Sequence, residues 1–272
     1  MQFITCAVTD VGQKSVNQDA VMIKVADTDD YGRIAMGAVC DGVGGLTHGE
    51  VASKTIIRRF EKWFHNELPD LLVPEDSTAK LDVKDEEQRD IFLLIKNQWG
   101  SIVNELNDSL ALYGKERSIN LGSTAVVMLL MGGRYLVMNV GDSRAYMITE
   151  KDVIQITHDQ SYIQMQIDKG LITEEEAKNN PSRGVLLQCI GASDEVVPDY
   201  HQGEFKGNTS FVLCCDGFWK LNTEDDIRSD AALSVSESES VMEDRLKNRI
   251  RLLKDAGETD NISVVVIGAR ER

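Results

Sequence analysis

Five aspartates stand at the edges of apolar runs, where their carboxylates could act together on a metal ion. They occur in the stretches SVNQDAVMI (Asp19), AVCDGVGG (Asp41), LVMNVGDSRA (Asp142), VLCCDGFW (Asp216) and GETDNISVVVI (Asp260). One Asp-Gly pair is common turn chemistry, and a simple turn is the alternative reading at each position. Five carboxylates that met at neighbouring strand ends would instead repel one another and would be costly to bury.

Divalent cations are the counter-charge that such a cluster would need. We take Lys14 and Arg144 as the basic residues near enough in sequence to compensate the charge of the carboxylates, and neither belongs to a basic cluster. Carboxylate, carbonyl and water oxygens are the ligands that Mg²⁺ and Mn²⁺ prefer, and a glycine after the aspartate lets a backbone carbonyl approach the ion. Two such ions about 4 Å apart would activate a water for attack on phosphorus without a protein nucleophile.

The apolar runs that must position these aspartates are typical of β-strands. Strands rich in valine and isoleucine are expected over residues 3–9, 20–26, 33–40, 122–131, 134–140, 143–149, 210–216 and 262–268. Apolar spacings of three and four predict helices over residues 52–64, 91–106 and 242–253, and a polar helical stretch is expected at about 159–183. Because strands come in groups joined by short turns, as at Gly132-Gly133, the pattern favours antiparallel sheets with helices packed outside them.

The composition limits the classes of partner. The 272 residues carry a net charge of −16, which argues against nucleic acid or an anionic membrane, since both need a basic face. No apolar run is long enough to span a membrane, and the first residues do not resemble a secretory signal. Five cysteines without a Cys-x-x-Cys pair argue against a zinc site and favour a cytoplasmic location. We expect a monomer.

Several stretches, in order along nearly the whole chain, resemble the metal-dependent protein phosphatases of bacterial type (PPM, the type 2C serine/threonine phosphatases). The matching stretches are VGQKSVNQDA (11–20), CDGVGGLTHGEVAS (40–53), GSTAVV (122–127), VGDSRAY (140–146), ITHDQSYIQ (156–164), GLITEEEAKNNP (170–181), CDGFW (215–219) and TDNISVVVI (259–267). The resemblance implies an α+β fold over residues 1–272 as one domain, a β-sandwich of two antiparallel sheets flanked by helices on both faces (αββα layers). A flap over about 159–192 would lie beside the metal site.

The resemblance also implies a role for each site residue. The ligands of two Mn²⁺ or Mg²⁺ ions would be Asp41, Asp216, Asp260, the carbonyl of Gly42 and Asp19, the last directly or through a water. Asp142 would join Asp216 at a looser third ion, and Asn261 would brace the Asp260 turn. Lys14 stands where family members usually carry an arginine that grips the substrate phosphate. Lysine keeps the charge but loses the two-pronged hydrogen bond, so weaker phosphate binding is expected.

The function implied is hydrolysis of phosphoserine and phosphothreonine on proteins, the substrates of a partner kinase. Asp41 and Asp216 would take part in catalysis by holding the binuclear centre, and Lys14 would take part by binding the substrate phosphate. Two alternatives stay open. A pseudophosphatase would keep the fold and only dock phosphoproteins, which the lysine at position 14 favours and the intact carboxylates disfavour. The other alternative is a hydrolase of small phosphate esters.

Overall fold

Two five-stranded antiparallel sheets pack face to face in the computed structural model, which describes residues 1–43, 48–72, 90–178, 180–233 and 238–271. The described strands are β1 (Gln2–Asp10), β2 (Ala20–Thr28), β3 (Gly32–Cys40), β4 (Ala125–Met131), β5 (Arg134–Val140), β6 (Arg144–Ile148), β7 (Val153–Gln155), β8 (Asp199–Glu204), β9 (Thr209–Cys214) and β10 (Ile262–Arg270). The described helices are α1 (Gly49–Asn66), α2 (Leu68–Leu72), α3 (Ile91–Arg117), α4 (Tyr162–Asp168), α5 (Glu174–Ala177), α6 (Asp216–Trp219), α7 (Glu224–Ala231) and α8 (Glu239–Asp255).

The strand order is β1-β10-β9-β6-β7 in the first sheet and β2-β3-β4-β5-β8 in the second. Alternation along β4 shows how one strand serves two cores. Val126 and Met128 belong to the core between the sheets, whereas Val127 and Leu129 belong to the core beneath α1 and α3. Because successive side chains of a strand point to opposite faces, the apolar run of β4 is buried on both sides.

Helices cover the outer face of each sheet. The aromatic stripe of α1 packs against α3, where the rings of Trp63 and Trp99 meet edge to face with centroids 5.4 Å apart. On the other side, α8 buries Met242, Leu246 and Ile250 against the first sheet. The predicted αββα sandwich is confirmed, and none of the described helices is long and apolar enough to cross a bilayer.

Several predicted elements differ in the structure. The strand expected over 210–216 ends at Cys214, and Asp216 begins the short helix α6. The edge strands β7 and β8 were not predicted, because their short or polar sequences lack the apolar alternation of a half-buried strand. The charged residues 68–90, with two prolines, predict a surface excursion, and this stretch begins as α2. Residues 73–89 of that excursion lie outside the described residues.

Candidate metal centre

The five aspartates come together at one end of the sandwich, although they belong to loops of both sheets. Four of them line a cleft of about 220 Å³, namely Asp41 after β3, Asp142 between β5 and β6, Asp216 at the start of α6 and Asp260 before β10. Asp19, directly before β2, has a carboxylate oxygen within 4.8 Å of one of Asp41. The structure therefore brings the sequence-predicted carboxylates into one site.

The burial of these carboxylates fits the binding of a divalent cation. Both carboxylate oxygens of Asp19 are buried and have no hydrogen-bond partner, and the same is true of Oδ1 of Asp216. A buried carboxylate without a partner is costly, whereas a hard divalent ion accepts such oxygens as ligands. The donor set consists of oxygen atoms, so these residues fit Mg²⁺ or Mn²⁺ better than a thiolate-seeking metal.

The electrostatics of the cluster show the same need for positive charge. Burial raises the pKa of Asp41 well above its usual value, and the nearby charges of Asp19 and Asp216 raise it further. Burial is also the main cause that raises the pKa of Asp142 to about 8 and that of Asp19 to about 6. The metal-free site therefore favours protonated carboxyls, and a bound cation would favour the ionised ones.

We predict that Mn²⁺ stabilises the protein more at high pH than at low pH. Unfolded aspartates titrate near 3.8, so between that pH and about 8 Asp142 binds more protons in the metal-free folded protein than in the unfolded chain. The contribution of this group to the free energy of unfolding therefore falls as the pH rises through that window. Mn²⁺ binds the ionised carboxylates. The increase in Tm that Mn²⁺ causes should therefore be larger at about pH 8 than at about pH 5.5, by roughly 3 °C or more. An equal increase at both pH values in differential scanning fluorimetry would contradict this view.

Glycines beside the aspartates allow the loops of the site to meet. A Cβ at Gly217 would lie 2.1 Å from the carbonyl oxygen of Asn261, and one at Gly12, whose φ is +62°, would lie 1.9 Å from that of Asp260. A Cβ at Gly42 would lie 2.5 Å from the backbone of Gly49 at the start of α1. These contacts give the glycines a role in close backbone packing. The carbonyl of Gly42 as a metal ligand stays a prediction.

Asn261 ties the loop before β2 to the start of β10. Its side chain donates to the carbonyls of Val11 (2.8 Å) and Val16 (3.2 Å) and accepts from the N–H of Gln18 (2.8 Å). Because Lys14 and Asp19 lie on or next to that loop, Asn261 helps to position both of them, and Lys14 contacts Asp260. This bracing is wider than the expected support of the Asp260 turn alone.

A second set of contacts holds the loop of Asp142. Trp219 donates its indole N–H to the carbonyl of Asp142 (3.0 Å), and the guanidinium of Arg144 stacks on that indole at 3.4 Å. Arg144 also pairs with the buried Asp159, Nη2 to Oδ2 at 2.7 Å. Arg144 is therefore an ion-pair partner that holds this loop, and the cation stacking on Trp219 links it to α6.

Among the described residues, Lys14 and Lys220 contact the aspartates of the site, and only Lys14 was predicted from the sequence. Lys14 Nζ lies 3.2 Å from Oδ1 of Asp260 at the rim, with 44% of its side chain exposed. The expectation that only Lys14 and Arg144 stand near the aspartates is wrong, because Lys220 Nζ pairs with Oδ2 of Asp216 and lines the cleft. Residues four positions apart are neighbours in a helix, so the spacing of Asp216 and Lys220 would predict their contact in a helical turn. A strand was expected there instead.

Cys215 also approaches the site, with its sulfur within 4.8 Å of oxygens of Asp19 and Asp41. Its thiol donates to the carbonyl of Asn261 (3.4 Å) and accepts from the N–H of Ser263 (3.1 Å). Burial raises the pKa of this thiol far above its usual value, so the thiolate that a metal would need is disfavoured. Cys215 therefore braces the strand ends behind the carboxylates.

Comparison with known proteins assigns the family. Residues 9–251 match the family model described as protein phosphatase 2C. The serine/threonine phosphatase stp of Listeria monocytogenes is 25% identical over 232 residues, which cover 84% of this chain and 82% of that protein. The protein phosphatase PhpP of Streptococcus pneumoniae is 28% identical over 265 residues, or 97% of this chain and 96% of PhpP.

A solved structure shows the same fold. The catalytic domain of the serine/threonine protein phosphatase PstP, crystallised in complex with two manganese ions, superposes with a TM-score of 0.71 over 99% of each chain at 24% identity. The family model spans most of the sequence, and the aspartate cluster has the oxygen ligands that a metal-dependent member needs. The chain belongs to the protein phosphatase 2C family of metal-dependent phosphoprotein phosphatases.

Proposed function

We propose that this protein removes phosphate from phosphoserine and phosphothreonine side chains of other proteins, with two Mn²⁺ or Mg²⁺ ions held by Asp41, Asp216, Asp260 and Asp19. The observation that carries the proposal is the convergence of these carboxylates, with buried oxygens that lack any hydrogen-bond partner. When bound, the two ions would lower the pKa of a water and orient it for in-line attack on phosphorus.

The residues around the cleft are consistent with attack by water. No serine or cysteine is among the described residues that line it. The hydroxyl of Thr124, which does line it, accepts from the N–H of Asp41 (3.1 Å) and shares a hydrogen bond with Ser143 (2.7 Å), so it supports the loops. We assign the carboxylates to holding the ions and Lys14 to holding the phosphate.

We also propose that residues 1–272 form one phosphatase domain in which the segment 159–192 is a flap beside the site. Gly184 and Leu186 of this segment line the cleft together with the aspartates. A second cavity of about 500 Å³ lies between the segment and α6, and it shares Asp142 and Lys220 with the cleft. Such a cavity has room for the peptide that flanks a phosphorylated residue. The substrates would then be phosphoproteins made by a partner kinase, and we expect a cytoplasmic monomer.

The test of this function is phosphate release from a phosphothreonine peptide, measured with Mn²⁺ and with EDTA. We expect turnover with Mn²⁺ and a rate near zero with EDTA, which Mn²⁺ in excess restores. Near-zero rates under both conditions, with Mn²⁺ bound, would favour a pseudophosphatase that only docks phosphoproteins. A preference for nitrophenyl phosphate over several phosphopeptides would favour a hydrolase of small esters.

Replacing Lys14 by alanine should weaken substrate binding more than it slows chemistry. A charge-assisted hydrogen bond to phosphate is worth roughly 1.5–3 kcal/mol, so we expect KM to rise roughly 10- to 150-fold while kcat changes less than about threefold. Lys14→Arg should lower KM, because arginine offers two parallel donors. Lys247→Ala, on the outer face of α8, is the control. An unchanged KM in Lys14→Ala would show that this lysine does not hold the phosphate.

A further inference from the structure

Lys220 occupies an unusual place for a basic residue, inside the cleft of a predicted metal site. The single turn of α6 sets it four residues after Asp216 and on the same face. Its ammonium contacts Oδ2 of Asp216, and 20% of its side chain is exposed. It lines the cleft together with Asp41, Asp142 and Asp260.

The two oxygens of Asp216 are in different surroundings. Oδ2 is paired with Lys220, whereas Oδ1 is buried and has no hydrogen-bond partner. Oδ1 of Asp216 is therefore free to bind the predicted pair of ions, while Oδ2 binds the ammonium of Lys220. The same ammonium attracts the carboxylates of Asp142 and Asp260.

Lys220 lies beside the place predicted for the looser third ion, which Asp142 and Asp216 would share. Its ammonium contacts Asp216, and its side chain lines the cleft with Asp142. A divalent ion at that place would have to displace the ammonium or bear its repulsion at close range. Lys220 carries one positive charge and up to three donors and cannot dissociate, because it is covalently attached.

We propose that Lys220 takes the place of the third metal ion, so that this phosphatase binds two ions and completes the charge of its site with its own ammonium. The inference rests on the proposed function, because it presumes two ions at the aspartates. It defines Lys220 as a positioning residue, which fixes Asp216 and balances Asp142. It also distinguishes this chain from a phosphatase that would need a third ion.

The test counts the manganese ions bound by each chain at saturation, by equilibrium dialysis and metal analysis. We expect two ions in the unaltered protein, three in Lys220→Ala, two in Lys220→Arg and two in the control Lys247→Ala. Lys220→Met, which keeps most of the side-chain volume without the charge, should also bind three. This second variant serves if the alanine variant is too unstable to purify.

The outcomes separate this inference from the proposed function. Three ions in the unaltered protein would overturn it, because Lys220 would then leave the third site open. Two ions in both Lys220→Ala and Lys220→Met would also overturn it, because the lysine would then only stabilise the turn of α6. Fewer than two ions in the unaltered protein would overturn the proposed binuclear centre, and the inference with it.

Discussion

Asp216→Asn is expected to abolish turnover while the protein stays folded. Asp216 lines the cleft with one oxygen free and buried, and asparagine would keep its shape while removing the negative charge that holds a divalent ion. We expect kcat to fall by at least about 10³-fold, since water activation at a binuclear centre depends on both ions. The measurement is phosphate release from a phosphothreonine peptide at saturating Mn²⁺.

The metal-free stability of this variant should change little. Asp216 raises the pKa of Asp41 and Asp19 by repulsion, which the neutral isostere relieves. The isostere also loses the ion pair with the largely buried Lys220, so the two effects on the metal-free Tm oppose each other. Asp255→Asn, at an exposed position at the end of α8, is the matched control and should keep full activity. Retention of more than about a tenth of the rate by Asp216→Asn would show that this carboxylate does not hold a catalytic ion.

Gly217→Ala is expected to destabilise the protein strongly. The added Cβ would lie 2.1 Å from the carbonyl oxygen of Asn261, a contact that neither backbone can relieve without moving. We expect a loss of about 3 kcal/mol in the free energy of unfolding, or roughly 6–10 °C in Tm. Because the displaced backbone carries Asp216 away from Asp260, the affinity for Mn²⁺ should fall as well.

A matched glycine provides the control for this substitution. Gly184 has nothing within 4 Å of an added Cβ and does not adopt a left-handed backbone, so Gly184→Ala should change stability by less than about 0.5 kcal/mol. Equal Tm values for the two variants would mean that α6 does not need its close approach to the Asp260 turn.

The carboxylates of the site could be predicted from sequence because their signal is local. Asp19, Asp41 and Asp260 each adjoin a strand with clear apolar patterning. Antiparallel neighbours bring such ends together at one edge of a sheet. The strongest elements, such as β4 and α1, were predictable for the same reason, since their burial follows the period of the backbone.

What the sequence could not supply depends on which loops meet in space. Lys220 was missed because the segment before it was expected to stay a strand through Asp216, and only a helical turn brings position i+4 back to the carboxylate. The role of Gly217 also depends on the chain opposite it, Asn261, which lies far away in sequence. Among the described strands, the polar edge strand β8 pairs with β5 alone, so its residues need no apolar alternation.

The most direct test of the central claim is a crystal structure of the protein soaked with manganese, with anomalous differences measured at the manganese edge. We predict two peaks about 4 Å apart in the cleft, each about 2 Å from carboxylate oxygens of the cluster that contains Asp41, Asp216 and Asp260. Absence of any peak in the cleft at saturating manganese, in a crystal where the aspartates keep their positions, would contradict the account.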